Sequence, residues 1–518
     1  MKDTPSPSGP PKDPFDRGTA LAAHTLRAAL RHFQDRLQSQ EAQLGRLRDD
    51  IDTLTAELAR CRTALPQQMN ADEAVAAPVP RSGRMLRRLA HDLGRLLPRA
   101  WGGSPSVAPR TPAPFDVQDY RMRLRALRAS GRLARMRTVA VLAPERLRRA
   151  AQVVARLIDG MSLRCTVLTA MPTDFTDDLY VVLSPRAFEV LPPPERRLLW
   201  LVEPRELADG WTTDLQARLH HSLAVFEAML PRLAELQRNG LALDQIFHVP
   251  LTARTATGPT LADRSPLGLP HMLARALHGV GILDDAAFEV ATAQTRLDAP
   301  ATVLCLPEAP ERFAHARASQ RHGAILFPGL RHVDGWKGTA LSYRYLARRA
   351  LQAQCERLVV WEDDARLPAD FDLRLPALLA LLDARAGDWD LFSGLITDLS
   401  PQGRIKAVQP HGDGLLIEID TVIGMVFGIY GPKALQALAD YRLEGEDVMK
   451  DTIDRYLEKL GLRCCTVFPP LVGHSERLSS TLWAWTERGF LSNDLLNPMI
   501  DRSQLRLLSK VADVLDGT

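Results

Sequence analysis

The chain has 518 residues, 46% hydrophobic and 25% charged, as expected of a folded globular protein too long for one core, so two or three domains are expected. A net charge of +3 argues against a nucleic-acid binder and against an acidic tail. Six cysteines without CxxC spacing fit neither a disulfide framework nor a zinc site, and point to a reducing cytosol.

Residues 1–17 are rich in Pro, Ser and Gly and are expected to be disordered. They hold no apolar core of a signal peptide, and no run of about 18 apolar residues occurs along the chain. The expectation is therefore a chain neither exported by a standard signal nor spanning a membrane. From residue 18 to 65 a strict interval of seven separates Leu30, Leu37, Leu44, Ile51, Leu58 and Leu65, and Leu26, Phe33, Gln40, Leu47, Leu54 and Cys61 fill the second seam. Such a period predicts a coiled coil that oligomerises the chain, ended by Pro66; a lone amphipathic surface helix is the alternative.

Residues 66–137 read as a linker carrying one basic amphipathic helix. Leu86, Leu89, Leu93, Leu96 and Leu97 share a face surrounded by Arg84, Arg87, Arg88, Arg95 and Arg99. Residues 84–101 could lie on an anionic membrane surface, which would place the protein at the inner face of the cytoplasmic membrane, or pack their leucines on another helix.

From Thr138 the pattern turns to short apolar runs alternating with helices: TVAVLA, ERLRRAAQVVARLIDGM, LRCTVLTA, DLYVVLSP, RLLWLVEP, and then SLAVFEA and DQIFHVPL. Residues 138–260 thus predict a Rossmann-like α/β lobe, without a GxGxxG loop to bind a nucleotide. Residues 261–300 read as a helical connector. The region 301–518 alternates again, through TVLCLPEAPERF, GAILFPG, the helix TALSYRYLARRALQA, RLVVWEDD, DWDLFSGLI, DTIDRYLEKLG and LRCCTVFPPLVGH, predicting a second α/β domain with a mostly parallel sheet.

One strand of that domain, VVWEDDA, ends in Glu362, Asp363 and Asp364. Carboxylates at the carboxyl end of a parallel strand stand where ligands bind in open α/β sheets, and residues two apart point the same way. Hard divalent cations take one or two carboxylates plus substrate phosphate oxygens, so the cluster suits a metal–diphosphate complex; a solvated loop start is the plain alternative. Three adjacent acids repel one another, so removing Asp364 is expected to relieve strain in the metal-free state.

The order LCLP, PERFAHAR, GTALSYRYLARRAL, VVWEDDARLPADF, DWDLFSG resembles the family 25 glycosyltransferases, the lipopolysaccharide and collagen galactosyltransferases, over roughly residues 300–475. Gly338 and Ser342 match the family's Gly–x–x–x–Ser segment, although Tyr343 stands where the family has His. Arg312 matches one of two expected arginines, and the other is missing. The chain is also similar to a set of bacterial glycosyltransferases reading WKGTALSYRYL, DWDLFSGLI, TIDRYLE, LVGHSE and STLW in succession. In that set the upstream lobe resembles the N-terminal half of a GT-B enzyme.

The resemblance implies a GT-A fold, a nucleotide-sugar donor, most naturally a UDP-sugar, and Mn²⁺ or Mg²⁺. It implies Asp364 as a metal ligand with Glu362 assisting, and Glu362 and Asp363 near the donor. His474 in LVGHSE is the candidate third ligand, with a structural histidine as the alternative. Arg312, Lys337, Gly338 and Ser342 are candidate donor contacts, and Trp389, Trp483 and Trp485 are candidates for stacking. Asp454 is the leading candidate general base; Glu446 and Asp447 are alternatives that could equally be N-caps. The implied function is a sugar transfer, inverting by expectation, to a bacterial surface polysaccharide or glycoconjugate. A non-catalytic scaffold and a metal-dependent phosphohydrolase are the competing readings.

Overall fold

A computed structural model describes residues 28–43, positions 45, 46, 49, 53 and 56, then 117–202, 212–251, 267–295, 301–448, 450–478, 481 and 493–516. Contacts divide the chain into two compact units, Met1–Gln34 with Phe115–Thr518, and Asp35–Pro114. Residues 28–43 form helix α1, and the described positions beyond it are helical too. Within the first unit, Ala29, Leu30 and Phe33 pack on the main core. Seam positions from Leu44 onward, the basic stretch 84–101, and Trp483 and Trp485 lie outside the described residues.

The segment ahead of the first lobe, expected to belong to a linker, is part of the fold. Helix α2 (Val117–Ala129) buries Tyr120 and Leu124, with Leu127 half-buried, and Leu133 and Met136 follow into the core. The Tyr120 hydroxyl donates to Leu223 O at 2.7 Å, tying α2 to the lobe behind it.

That lobe is a six-stranded, all-parallel sheet in the order β2-β1-β3-β4-β5-β6. Its strands are β1 (Thr138–Leu142), β2 (Arg164–Leu168), β3 (Leu179–Leu183), β4 (Arg197–Leu201), β5 (Ala224–Glu227) and β6 (Ile246–His248). The inner strands are buried along their length, which is why they read as unbroken Val/Leu runs rather than alternating ones. Three helices accompany them: α3 (Arg148–Asp159), α4 (Thr213–His221) and α5 (Leu230–Arg238). The Rossmann-like reading of this lobe is met.

The connector holds α6 (Leu269–Val280) and α7 (Asp285–Ala291). Helix α6 is buried nearly all round and packs on β6, and its Arg275 donates to Gly329 O in the next lobe at 2.8 Å. One hydrophobic cluster runs through both lobes, joining Trp200 and Phe247 to Leu277, Phe327 and Val360.

The second sheet departs from expectation. Its order is β12-β13-β15-β11-β14-β9-β7-β8, from β7 (Thr302–Cys305), β8 (Ile325–Pro328), β9 (Leu358–Glu362), β11 (Leu391–Ser393), β12 (Ile405–His411), β13 (Gly414–Ile419), β14 (Phe427–Tyr430) and β15 (Cys464–Phe468). Only β7–β8, β7–β9 and β11–β15 are parallel, so the sheet is mixed rather than mostly parallel. The hairpin β12–β13 and the antiparallel strand β14 account for the difference. Strand β9 is anchored by Trp361, fully buried and stacked on Phe427 of β14 at 6.0 Å. A separate two-stranded ladder pairs β10 (Ala365–Arg366) with β16 (Gly473–His474). The helices here are α8 (Pro310–Ala318), α9 (Gly335–Gln352), α10 (Phe371–Ala384), α11 (Pro432–Asp440), α12 (Ile453–Glu458) and α13 (Asn493–Asp516).

Candidate active site

The acids of VVWEDDA stand at the carboxyl end of β9, beside an open cleft enclosing about 610 Å³, solvent space included. Glu362, Asp363 and Arg312 line one end, and Gly335 and Thr339 bring the first turn of α9 to its side. The chain turns straight from Asp364 into β10, so the Ala365–His474 pairing sets Asp364 beside His474. Ser475 N donates to Asp364 O at 2.8 Å, and His474 Nε2 lies 3.6 Å from Asp364 Oδ2. The other ring nitrogen, Nδ1, meets Asn497 Oδ1 at 3.1 Å, which fixes the ring plane.

Arg312, on α8, is the cation that makes the acid cluster tolerable. Its Nε donates to Asp363 Oδ1 at 3.0 Å and its Nη2 to Asp364 Oδ2 at 2.9 Å. His315, one turn further along α8, meets Asp363 O through Nδ1 at 2.8 Å. Sequence reasoning took Arg312 for a diphosphate contact and overlooked His315; their i, i+3 spacing on one helix face was the available signal.

Electrostatics separate the three carboxyl groups. Burial pushes Asp364 up, but the Arg312 guanidinium and His474 hold it well below the usual carboxylate range. Burial raises Asp363 against the pull of Arg312. Burial, with the charges of Asp364 and Asp363 added, pushes Glu362 up to about 8. The Tyr343 hydroxyl lies 3.4 Å from Glu362 Oε1 and donates to Met425 O at 2.9 Å, so the residue replacing the family's His braces Glu362. Glu362 lines the cleft beside Asp363 and remains a candidate to assist at a metal.

For a divalent cation the donor set is Asp364 and His474. Asp364 Oδ1 is buried with no hydrogen-bond partner, an uncompensated acceptor in a polar corner. Among the described residues no three His, Cys, Asp or Glu side chains converge. Two protein ligands with substrate oxygens and water completing the shell still suit Mg²⁺ or Mn²⁺.

The remaining candidates divide. Ser342 is buried, its hydroxyl committed to Gly338 O and Leu330 N at 2.7 Å each. A Cβ on Gly338 would meet Leu330 O at 2.7 Å, so this pair braces the loop entering α9 while Ser342 borders the cleft. Lys337 Nζ turns to Glu446 Oε1 at 2.8 Å and is not among the residues lining the cleft. Asp447 lies 3.3 Å from Lys450 in the same acidic loop. Asp454, in the first turn of α12, lines a second cavity of about 240 Å³ with Ser393, Met425 and Tyr430, and its charge is felt at Glu362. Trp389 is misplaced by the sequence reading. It precedes β11, which runs parallel to β9, so it sits at the opposite end of the sheet from the acids, its Nε1 donating to Leu382 O at 2.8 Å. It cannot stack on a donor in this cleft.

Comparison with models of known protein families finds no match, and a search of curated proteins finds none. No described helix is long and apolar enough to cross a membrane.

Proposed function

We propose that the chain is a metal-dependent glycosyltransferase that moves a sugar from a nucleotide-sugar donor, a UDP-sugar, to a hydroxyl of a bacterial surface polysaccharide or glycoconjugate, with inversion. The observation that carries this reading is the meeting of Asp364 and His474 at a strand's carboxyl end, with one buried Asp364 oxygen left unsatisfied next in the chain to Glu362 and Asp363, which line the cleft. The implied GT-A fold is supported by a mixed sheet in which β9, bearing the acids, lies between parallel β7 and antiparallel β14.

Asp364 Oδ1 and His474 Nε2 would hold Mn²⁺ or Mg²⁺, which when bound supplies Lewis-acid stabilisation of the departing nucleoside diphosphate. The first turn of α9 borders the same space through Gly335 and Thr339, and the positive end of the helix dipole there would favour phosphate. Asp454 would be the carboxylate to take the acceptor's proton, with Glu446 and Asp447, each beside a lysine, as the alternatives. A homo-oligomer built through residues 18–65, a cytoplasmic site and a membrane-surface contact through 84–101 belong to the same reading.

A non-catalytic scaffold draws on one observation, that Arg312 already compensates Asp363 and Asp364 internally. Incubation with a panel of nucleotide sugars and Mn²⁺, with and without glycan acceptors, separates the two. Nucleotide release from one donor, stimulated by acceptor, is expected. Neither release nor binding of any donor would leave the scaffold.

A further inference from the structure

The cleft is walled on one side by the upstream lobe. Leu243 and Asp244, in the turn that enters β6, line it together with Leu304, Leu306 and Leu330 of the second lobe. Asp244 is 7% exposed and held in place from two directions. Arg121 Nε, on α2, donates to its Oδ2 at 2.6 Å, and Arg331 Nη2 stands 3.8 Å from its Oδ1. Arg331 also donates to Leu243 O at 2.9 Å.

This wall is bonded to its counterpart. Arg275 and Glu308, both fully buried, form a two-pronged pair at 2.7 and 2.9 Å, and His248 N donates to Glu308 Oε1 at 2.7 Å. Arg331, which lines the cleft, stands 3.4 Å from Glu308 and so ties this junction to it.

The cleft therefore has two chemically different walls. On the second lobe, Arg312 and the acids, with Leu304 paired to Glu362 beside them, suit phosphate and a cation. On the upstream lobe, Leu243 next to the fixed carboxylate of Asp244 suits a flat heteroaromatic ring presenting an N–H. We propose that the upstream lobe binds the nucleobase of the donor, Leu243 covering the ring and Asp244 accepting a hydrogen bond from its ring N–H. The first lobe is then a wall of one shared site rather than a second active site. This rests on the donor reading above and goes beyond it in naming the base and the lobe that reads it.

A carboxylate only accepts hydrogen bonds. At the central position of its pairing edge uracil presents N3–H, whereas cytosine presents a lone pair, so the two pyrimidines differ at the contact itself. Binding of UDP and CDP in the presence of Mn²⁺, measured by calorimetry on the full chain, is the test. The wild type should prefer UDP by about tenfold, the worth of one hydrogen bond to a charged group. Asp244→Asn keeps a carbonyl oxygen for Arg121 and adds an N–H₂, so the UDP/CDP ratio should fall to near one or invert. Any weakening caused by loss of charge beside Arg121 and Arg331 affects both nucleotides and cancels in that ratio. An unchanged ratio in Asp244→Asn would overturn the assignment while leaving the donor reading intact. A wild type that binds no nucleoside diphosphate would overturn both.

Discussion

Asp364 joins an arginine, a histidine and an unsatisfied oxygen in one side chain, and the sequence disclosed only part of that. The strand ending in acids and the later His474 were legible, because their residue types are rare at such positions. Their contact depends on a two-residue ladder between β10 and β16, too short to leave a hydrophobic period. Arg312 was legible as a residue and not as the partner of both aspartates. This changes one expectation. Removing Asp364 was expected to relieve repulsion, yet a carboxyl held well below its ordinary range is stabilised by the fold at neutral pH. Asp364→Ala should therefore cost about 2 kcal/mol of stability, Arg312 retaining Asp363 as its remaining partner. The same substitution should reduce Mn²⁺-dependent UDP binding by a hundredfold or more, an order of magnitude set by loss of a principal carboxylate ligand. Urea melts and calorimetry on one preparation read both effects. Lost stability with normal metal-dependent binding would make the acid cluster purely structural.

Elements were legible wherever burial imposed a clean period. The strands β1, β3 and β4 are apolar on both faces and could hardly be anything else. The hairpin β12–β13 was missed although Gly412-Asp413-Gly414 marks its turn and Gly412 has φ +54°, because IKAVQPH alternates weakly and carries a proline. Helix α2 was missed because arginines interrupt the stripe of Tyr120, Leu124 and Leu127. The heptads in α1 are the element where sequence and structure meet halfway. Leu30 and Phe33, read as seam residues, pack on the chain's own core, so the self-association seam proposed above would fall to the later heptads. Two sets of substitutions should then separate. Glutamates at Leu44, Ile51 and Leu58 should give a monomer by sedimentation with an unchanged melting temperature. Alanines at Leu30 and Phe33 should leave the oligomer intact and cost about 2–4 kcal/mol, since half-buried side chains lose part of the full burial energy. A chain that stays oligomeric with the three glutamates would place the interface elsewhere.

At the scale of the molecule the lobe boundary reads as a helical connector in sequence and behaves as a core in three dimensions. Charges that sequence alone cannot pair, Arg275 with Glu308 and Arg121 with Asp244, close it. Histidines pack into the same seam. His271 is 3% exposed, among Phe288, Phe327 and Tyr345, with Nδ1 3.1 Å from Thr295 Oγ1 and Nε2 without a hydrogen-bond partner. Burial, reinforced by the nearby charges of Arg275 and Arg349, lowers its pKa to about 3. The unfolded chain takes up a proton on this histidine below about pH 6.5, whereas the folded chain does not until far lower pH. Stability contributed by the neutral ring is thus complete above that pH and is lost as pH falls, at about 1.4 kcal/mol per unit. Other groups tilt the total curve the opposite way. Burial lifts Glu227 to about 8, a group that favours the folded state more at acid pH, so the overall profile is a poor readout. The difference between wild type and His271→Gln isolates the one histidine. The variant should be less stable at pH 7 because the aromatic packing is disturbed, and the gap should narrow steadily from pH 6.5 towards 4. Chemical denaturation across that range measures it. A gap that stays constant with pH would mean that His271 is protonated in the fold, and that the seam between the lobes holds a charge where the packing described here leaves it neutral.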